Sequence, residues 1–180
     1  MKTTKNVITS ALVIGSLFFT QLLNAQKLSI QNSNIKIEGT STLHDWNMTS
    51  NQATFTGQIA GNTINDVKFV MKAQSLKSKE SAMDKNAYKA LETSKYPEIT
   101  FTTASIPTQG NATISGNLTI ANSTKNVKIP VTVTKNGSSY VIKGTTKIKM
   151  TTFGIKPPTV MLGTIKTGDD LTINLNLTVN

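Results

Sequence analysis

The chain has 180 residues, no cysteine and a formal net charge of +10, and every basic residue is a lysine. Disulfides, thiol chemistry and thiolate metal sites are thereby excluded. A reader of nucleic acid would draw on arginine's bidentate fork, which is absent; lysines spread along the chain fit a solvated surface that keeps strand edges apart.

The first element in chain order is a leader. Lys2 and Lys5 precede an apolar run from Val7 to Phe19, and Leu23-Asn24-Ala25 ends in a small residue suited to cleavage before Gln26. The run is too short and too interrupted for a good membrane span, so residues 1–25 read as a secretory signal, with an uncleaved anchor as the alternative. Residues 26–180 then make one domain, carrying 17 lysines against 9 acids. Export to the periplasm is expected, and secretion is the alternative.

Period-two alternation predicts strands at 27–31, 34–40, 52–59, 63–74, 98–104, 111–121, 125–134, 138–150 and 171–179. In the last, Leu171, Ile173, Leu175, Leu177 and Val179 oppose Thr172, Asn174, Asn176 and Thr178. Gly61-Asn62, Gln109-Gly110-Asn111, Asn122-Ser123 and Asn136-Gly137 supply turn chemistry between runs. So many one-sided strands must curl until their dry faces meet, as a closed barrel or a sandwich. Two stretches break the pattern. Ser81 to Leu91 places Met83, Ala87 and Leu91 at helical spacing, with Ser81 and Asp84 resembling a capping box and Pro97 stopping any continuation. This predicts a short helix across the barrel or in one end. Thr151 to Gly168 reads as a long loop folded over an opening.

The lysines fix which face is wet: Lys143, Lys147 and Lys149 oppose Tyr140, Ile142, Ile148 and Met150. The dry face also takes Phe55, Val67, Phe69, Met71 and Phe101, with Thr103 and Thr146 as its main polar members. A solid core is the plain reading of such a set. Gly39, Gly57, Gly116 and Gly144 among the large residues hint at a hollow one. His44-Asp45-Trp46 is the most chemically loaded tripeptide, holding the only His and the only Trp. One His without Cys is a poor metal site. His44 reads as a hydrogen-bonding residue, a headgroup contact or, least favoured, a catalyst with Asp45.

Three motifs carry a resemblance. Met83-Asp84-Lys85-Asn86-Ala87-Tyr88-Lys89-Ala90-Leu91 is followed by Lys95-Tyr96-Pro97-Glu98-Ile99-Thr100-Phe101. Ser115-Gly116-Asn117-Leu118-Thr119-Ile120 precedes Thr124-Lys125-Asn126-Val127-Lys128-Ile129-Pro130-Val131. Met150-Thr151-Thr152-Phe153-Gly154-Ile155 comes last, and His44-Asp45-Trp46 fits an exported branch. In this order the chain resembles the YceI-like family of polyisoprenoid-binding proteins.

The resemblance implies an all-β fold, an eight-stranded antiparallel, lipocalin-like barrel with one short helix between strands, occupying 26–180. It also implies a periplasmic carrier that holds an isoprenoid quinone or a prenyl lipid non-covalently in an apolar tunnel and needs no cofactor. On this reading Phe55, Phe69, Met71, Phe101, Leu118, Met150 and Phe153 line the tunnel, with Trp46 and Tyr88 near its ends. The partners are then an apolar lipid and, transiently, a membrane surface, with no nucleic acid. Two other classes stand beside it: an enzyme acting on a lipid-like substrate through His44 and Asp45, and a lysine-surfaced β protein with a filled core that binds an anionic partner.

Overall fold

The computed structural model describes residues 26–180; the leader read at 1–25 lies outside the described residues. Eleven strand segments are present: β1 (Lys27–Leu28), β2 (Ile30–Ser41), β3 (Trp46–Ser50), β4 (Ala53–Ala60), β5 (Thr63–Lys72), β6 (Glu98–Pro107), β7 (Gly110–Ile120), β8 (Ser123–Asn136), β9 (Ser139–Lys149), β10 (Thr159–Val160) and β11 (Ile165–Val179). One helix, α1 (Ser81–Ala90), lies between β5 and β6.

The eleven segments resolve into the expected eight barrel strands. β1 and β2 are one strand interrupted at Ser29, and β3 and β4 are one strand interrupted at Asn51-Gln52. Lys27 opposite Gln58 and Gly39 opposite Trp46 belong to a single antiparallel register across both interruptions. At the break the Ser33 hydroxyl donates to the Asn51 carbonyl at 2.8 Å. β10 is a two-residue accessory on β11. Every remaining neighbour is sequential, and β11 returns to pair β2, so the meander closes.

Closure gives the barrel two unlike ends. At the lower end β4–β5 and β8–β9 are joined by two-residue loops, Gly61-Asn62 and Gly137-Ser138. Gly137 has φ +59 with Asn136 paired to Ser139, so glycine holds the first loop position, where a primed turn needs positive φ. At the upper end sit the loop 42–45, the segment 73–97 bearing α1, the turn Ala121-Asn122 and the loop 150–164.

Several local expectations change. β3 was not foreseen: Trp46, Met48 and Ser50 do alternate, but the run is five residues long and one inward member is polar. Ser50 is buried because Ser75 offers it a hydroxyl partner at 2.6 Å. β11 begins at Ile165, inside the stretch expected to be loop, since Gly168, Asp169 and Asp170 hide its upper half. Asp66 sits at φ +51 where the β4–β5 register slips by one residue. This bulge shifts the phase of β5, so that Ile64 and Val67 both face inward. Thr103, expected inside, donates to the Ser115 carbonyl at 2.8 Å, where β6 and β7 leave ladder register.

The termini of α1 differ from the capping-box reading. The N-cap is Glu80, which makes no side-chain cap, and Ser81 is already helical. The Asp84 carboxylate instead reaches back to Ser78, accepting from its N–H at 2.7 Å and its hydroxyl at 2.8 Å. Pro97 is not the stop. Glu92 turns left-handed at φ +49, its N–H reaches the Lys89 carbonyl, and the Thr93 N–H reaches that of Tyr88. This is a Schellman closure with glutamate where glycine is usual.

Candidate functional site

The inward faces do not meet everywhere. At the lower end Leu28, Ile64, Val133, Tyr140 and Val179 are buried against one another and fill the bore. Above them lies a cavity of about 500 Å³. Ile106 and Leu177 stand near its floor, Phe55, Phe69, Met71, Phe101 and Leu118 on its walls, and Met83, Ala87 and Ala90 of α1, with the C-cap Leu91, lie across its upper end. Volume and lining fall in the range of small-molecule and lipid sites.

The lining is almost wholly apolar. Its polar side chains are Ser41, His44, Trp46, Glu80, Asn86, Thr146 and Thr167, and all but Thr146 stand toward the upper end. No lysine lines it. The Trp46 indole N–H is already engaged by the Thr40 carbonyl at 2.9 Å. A guest would therefore meet few directional partners along the bore, so selection there rests on length and width. A polar headgroup would find several hydrogen-bonding groups near the mouth and only Thr146 deeper in the bore.

Seven of the nine residues read as tunnel contacts stand on this cavity: Trp46, Phe55, Phe69, Met71, Phe101, Leu118 and Met150. Phe153 and Tyr88 do not. Phe153 is buried in the turn 151–153, which Gly154 closes at φ +73, so its ring packs into the wall and Ile155 reaches the cavity instead. The Tyr88 hydroxyl points away, lying 2.7 Å from the Leu76 carbonyl and 2.9 Å from that of Gln74, with Lys77 over its ring. It pins the helix to the strap that leads into it. The loop expected over the opening does border it, through Pro158, Val160 and Met161, with Ile165 at the start of β11 beside them; none of these is among the nine tunnel residues, because an irregular loop carries no periodicity that assigns a direction.

Two of the strand glycines, Gly39 and Gly116, seat rings, while Gly144 lines the cavity. A methyl group on Gly39 would overlap the Trp46 ring, and one on Gly116 would overlap the ring of Phe101. Trp46 thus lies flat on its cross-strand partner Gly39 at the mouth.

Asp84 is the buried charge of the upper end, 8 % exposed. Burial alone would raise its pKa, but the Ser78 N–H, the Ser78 hydroxyl and the Lys77 ammonium at 3.6 Å outweigh it and hold the carboxyl below its ordinary 3.8. The strap is tied in turn to the barrel by reciprocal main-chain bonds between Thr49 and Lys77, both 2.8 Å. His44 is exposed, and its Nδ1 lies 2.7 Å from the main-chain oxygen of Asp45. The Asp45 carboxylate is not its partner, so the pair does not form the oriented dyad that acid–base chemistry would use. Among the described residues no three His, Cys, Asp or Glu side chains gather as a metal site.

Similar folds are known. The crystal structure of Burkholderia cenocepacia BcnA superposes with a TM-score of 0.68 at 18 % identity, covering 81 % of this chain and 95 % of that one. A polyisoprenoid binding domain from Saccharophagus degradans, implicated in plant cell wall breakdown, gives 0.68 at 12 % identity, covering 85 % and 97 %. The Campylobacter jejuni YceI protein gives 0.55 at 17 %, covering 99 % and 97 %. At these identities the likeness establishes the fold. No curated protein matches the sequence. The YceI-like domain model matches residues 26–179. A match over nearly all the described residues, on a barrel of the same fold, places this chain in the YceI-like family.

Proposed function

We propose that the protein is an exported, periplasmic carrier that holds an isoprenoid quinone, a prenyl lipid or another long apolar chain in the barrel without covalent attachment. The observation that carries this reading is the apolar cavity of about 500 Å³, plugged below and bordered, Thr146 apart, by polar groups toward its mouth. The polyisoprenoid binding domain named above supports the ligand class. Transfer of the chain out of water is the driving force. Ten buried methylenes release about 8 kcal/mol at roughly 0.8 kcal/mol each, before the ordering of the chain subtracts several. The residual free energy suits a carrier that must also let go.

Mass spectrometry of an organic extract of the purified protein tests the reading. A stoichiometric isoprenoid or comparable lipid is expected, and Leu118→Trp, which fills the middle of the bore, lowers its amount at least tenfold. An extract without lipid, from protein that also takes up none from added quinone, overturns the carrier. His44→Ala separates carrier from enzyme: a carrier keeps its lipid, whereas an enzyme loses turnover of that lipid.

A further inference from the structure

Three large apolar side chains are exposed among the described residues: Leu43 at 66 %, Met161 at 72 % and Leu162 at 109 %. All three belong to the upper end: Leu43 lies in the loop 42–45, and Met161 and Leu162 lie in the loop that runs into β11, whose first residues are bonded to Thr42. The Thr42 N–H donates to the Lys166 carbonyl at 3.0 Å, and the Lys166 N–H donates to the Thr42 hydroxyl at 3.1 Å. Leu43 and Met161 also line the cavity, so one apolar surface runs from the solvent-facing tips into the bore. Met161 and Leu162 both hold left-handed backbone, φ +51 and +56, a strained arrangement in which Leu162 stands in solvent while Pro158, Val160 and Met161 border the opening.

The loop of Leu43 carries one exposed acid, Asp45, whereas the loop of Met161 and Leu162 is purely basic. From Thr151 to Gly168 the chain carries Lys156 and Lys166 and no acid. Both lysines are exposed, and neither joins any of the ion pairs among the described residues. Apolar tips flanked by free lysines match a bilayer surface, with side chains entering the acyl boundary and ammonium groups meeting anionic headgroups. We propose that this rim, Leu43 with Met161-Leu162, docks the mouth of the barrel onto an anionic membrane, so that a lipid passes between bilayer and cavity without crossing water. The proposal rests on the carrier reading for its purpose and adds to it the place where loading happens.

Sedimentation with vesicles tests it, using phosphatidylcholine alone and phosphatidylcholine mixed with phosphatidylglycerol. The native protein is expected to bind the mixed vesicles, more weakly as salt rises. The triple variant Leu43→Ser/Met161→Ser/Leu162→Ser is expected to bind at least tenfold more weakly to them. Lys156→Gln/Lys166→Gln is expected to lose severalfold on the mixed vesicles and nothing on phosphatidylcholine alone. These residues are exposed, and unchanged Trp46 fluorescence reports that each variant is folded. Native protein that stays in solution with mixed vesicles at low salt overturns the docking surface, as does a triple variant that binds unchanged. A dimer of the native protein that the triple variant dissolves also overturns it, because the rim then covers a second copy. Extracted lipid is read separately: protein loaded but unable to bind vesicles loses the docking proposal alone, and protein that binds vesicles but never carries lipid loses the carrier alone.

Discussion

The two ends of the barrel are built from the same strands and do opposite work. At the lower end, tight loops bring strand ends close enough for Leu28, Ile64, Val133 and Val179 to pack with at most 1 % exposure. At the upper end, longer connections hold the strand tips apart, and the same inward faces border a void that a helix only partly spans. Both ends present apolar inward faces, so hydrophobicity alone does not separate a core from a cavity here. The lower end carries stability and leaves the upper end free to stay open, hydrated at its rim and adjustable.

Mutations can sharpen or break this division. The largest effect is expected at the plug: Ile64→Ala removes packing from a fully enclosed site and costs about 3 kcal/mol in urea unfolding. Leu118→Ala, on the cavity wall, costs about half that in lipid-stripped protein, because one side of Leu118 already faces empty space. Equal losses at the two sites would mean that the upper bore is as solid as the lower one. Next comes Gly39→Val at the mouth, where the new side chain must displace the Trp46 ring. The expected loss is about 2 kcal/mol, with a red shift of Trp46 emission, which reports this site alone because no other tryptophan exists.

Asp84→Asn follows. It weakens the tie between Ser78, Lys77 and α1, and is expected to cost about 1.5 kcal/mol at neutral pH. The native pKa is depressed, so the carboxylate's contribution is complete above about pH 4 and fades as pH falls through the native value. Acid titration of stability checks the sign: the gap between native protein and variant closes toward low pH and stays constant from mild acid to neutrality. Smallest is Ala121→Gly. Ala121 occupies φ +50 in the one two-residue turn of the upper end, so glycine is expected to raise stability by about 1 kcal/mol. A loss there would mean that this turn is not left-handed in solution.

Much of the fold was legible because period-two alternation is a local property. β7, β8, β9 and the lower half of β11 could be read to within a few residues from which side chains were lysine or threonine and which were isoleucine or valine. The site was legible in part for the same reason. Phe55, Phe69, Met71, Phe101 and Leu118 face inward by alternation alone, and Met150 does so one residue past the end of β9. Phe153 and Tyr88 sit outside strands, where no period assigns a direction, and both turned away from the void. The helix was visible from its apolar spacing, but its caps were not. Ser78 and Glu92 act there through geometry that closes only when the strap lies on β3.

By itself, then, the sequence determined a cysteine-free antiparallel β fold with a dry inner face, a lysine-rich outer one and a short helix. Those properties follow from side-chain alternation and charge along neighbouring residues. Only the tertiary structure decided that the lower bore is plugged and the upper bore hollow, that Gly39 seats a ring instead of marking a void, and that Leu43, Met161 and Leu162 share one rim. Each of these depends on how far apart residues distant in the chain are held, a distance set by the closure of the barrel and the length of the connections at each end.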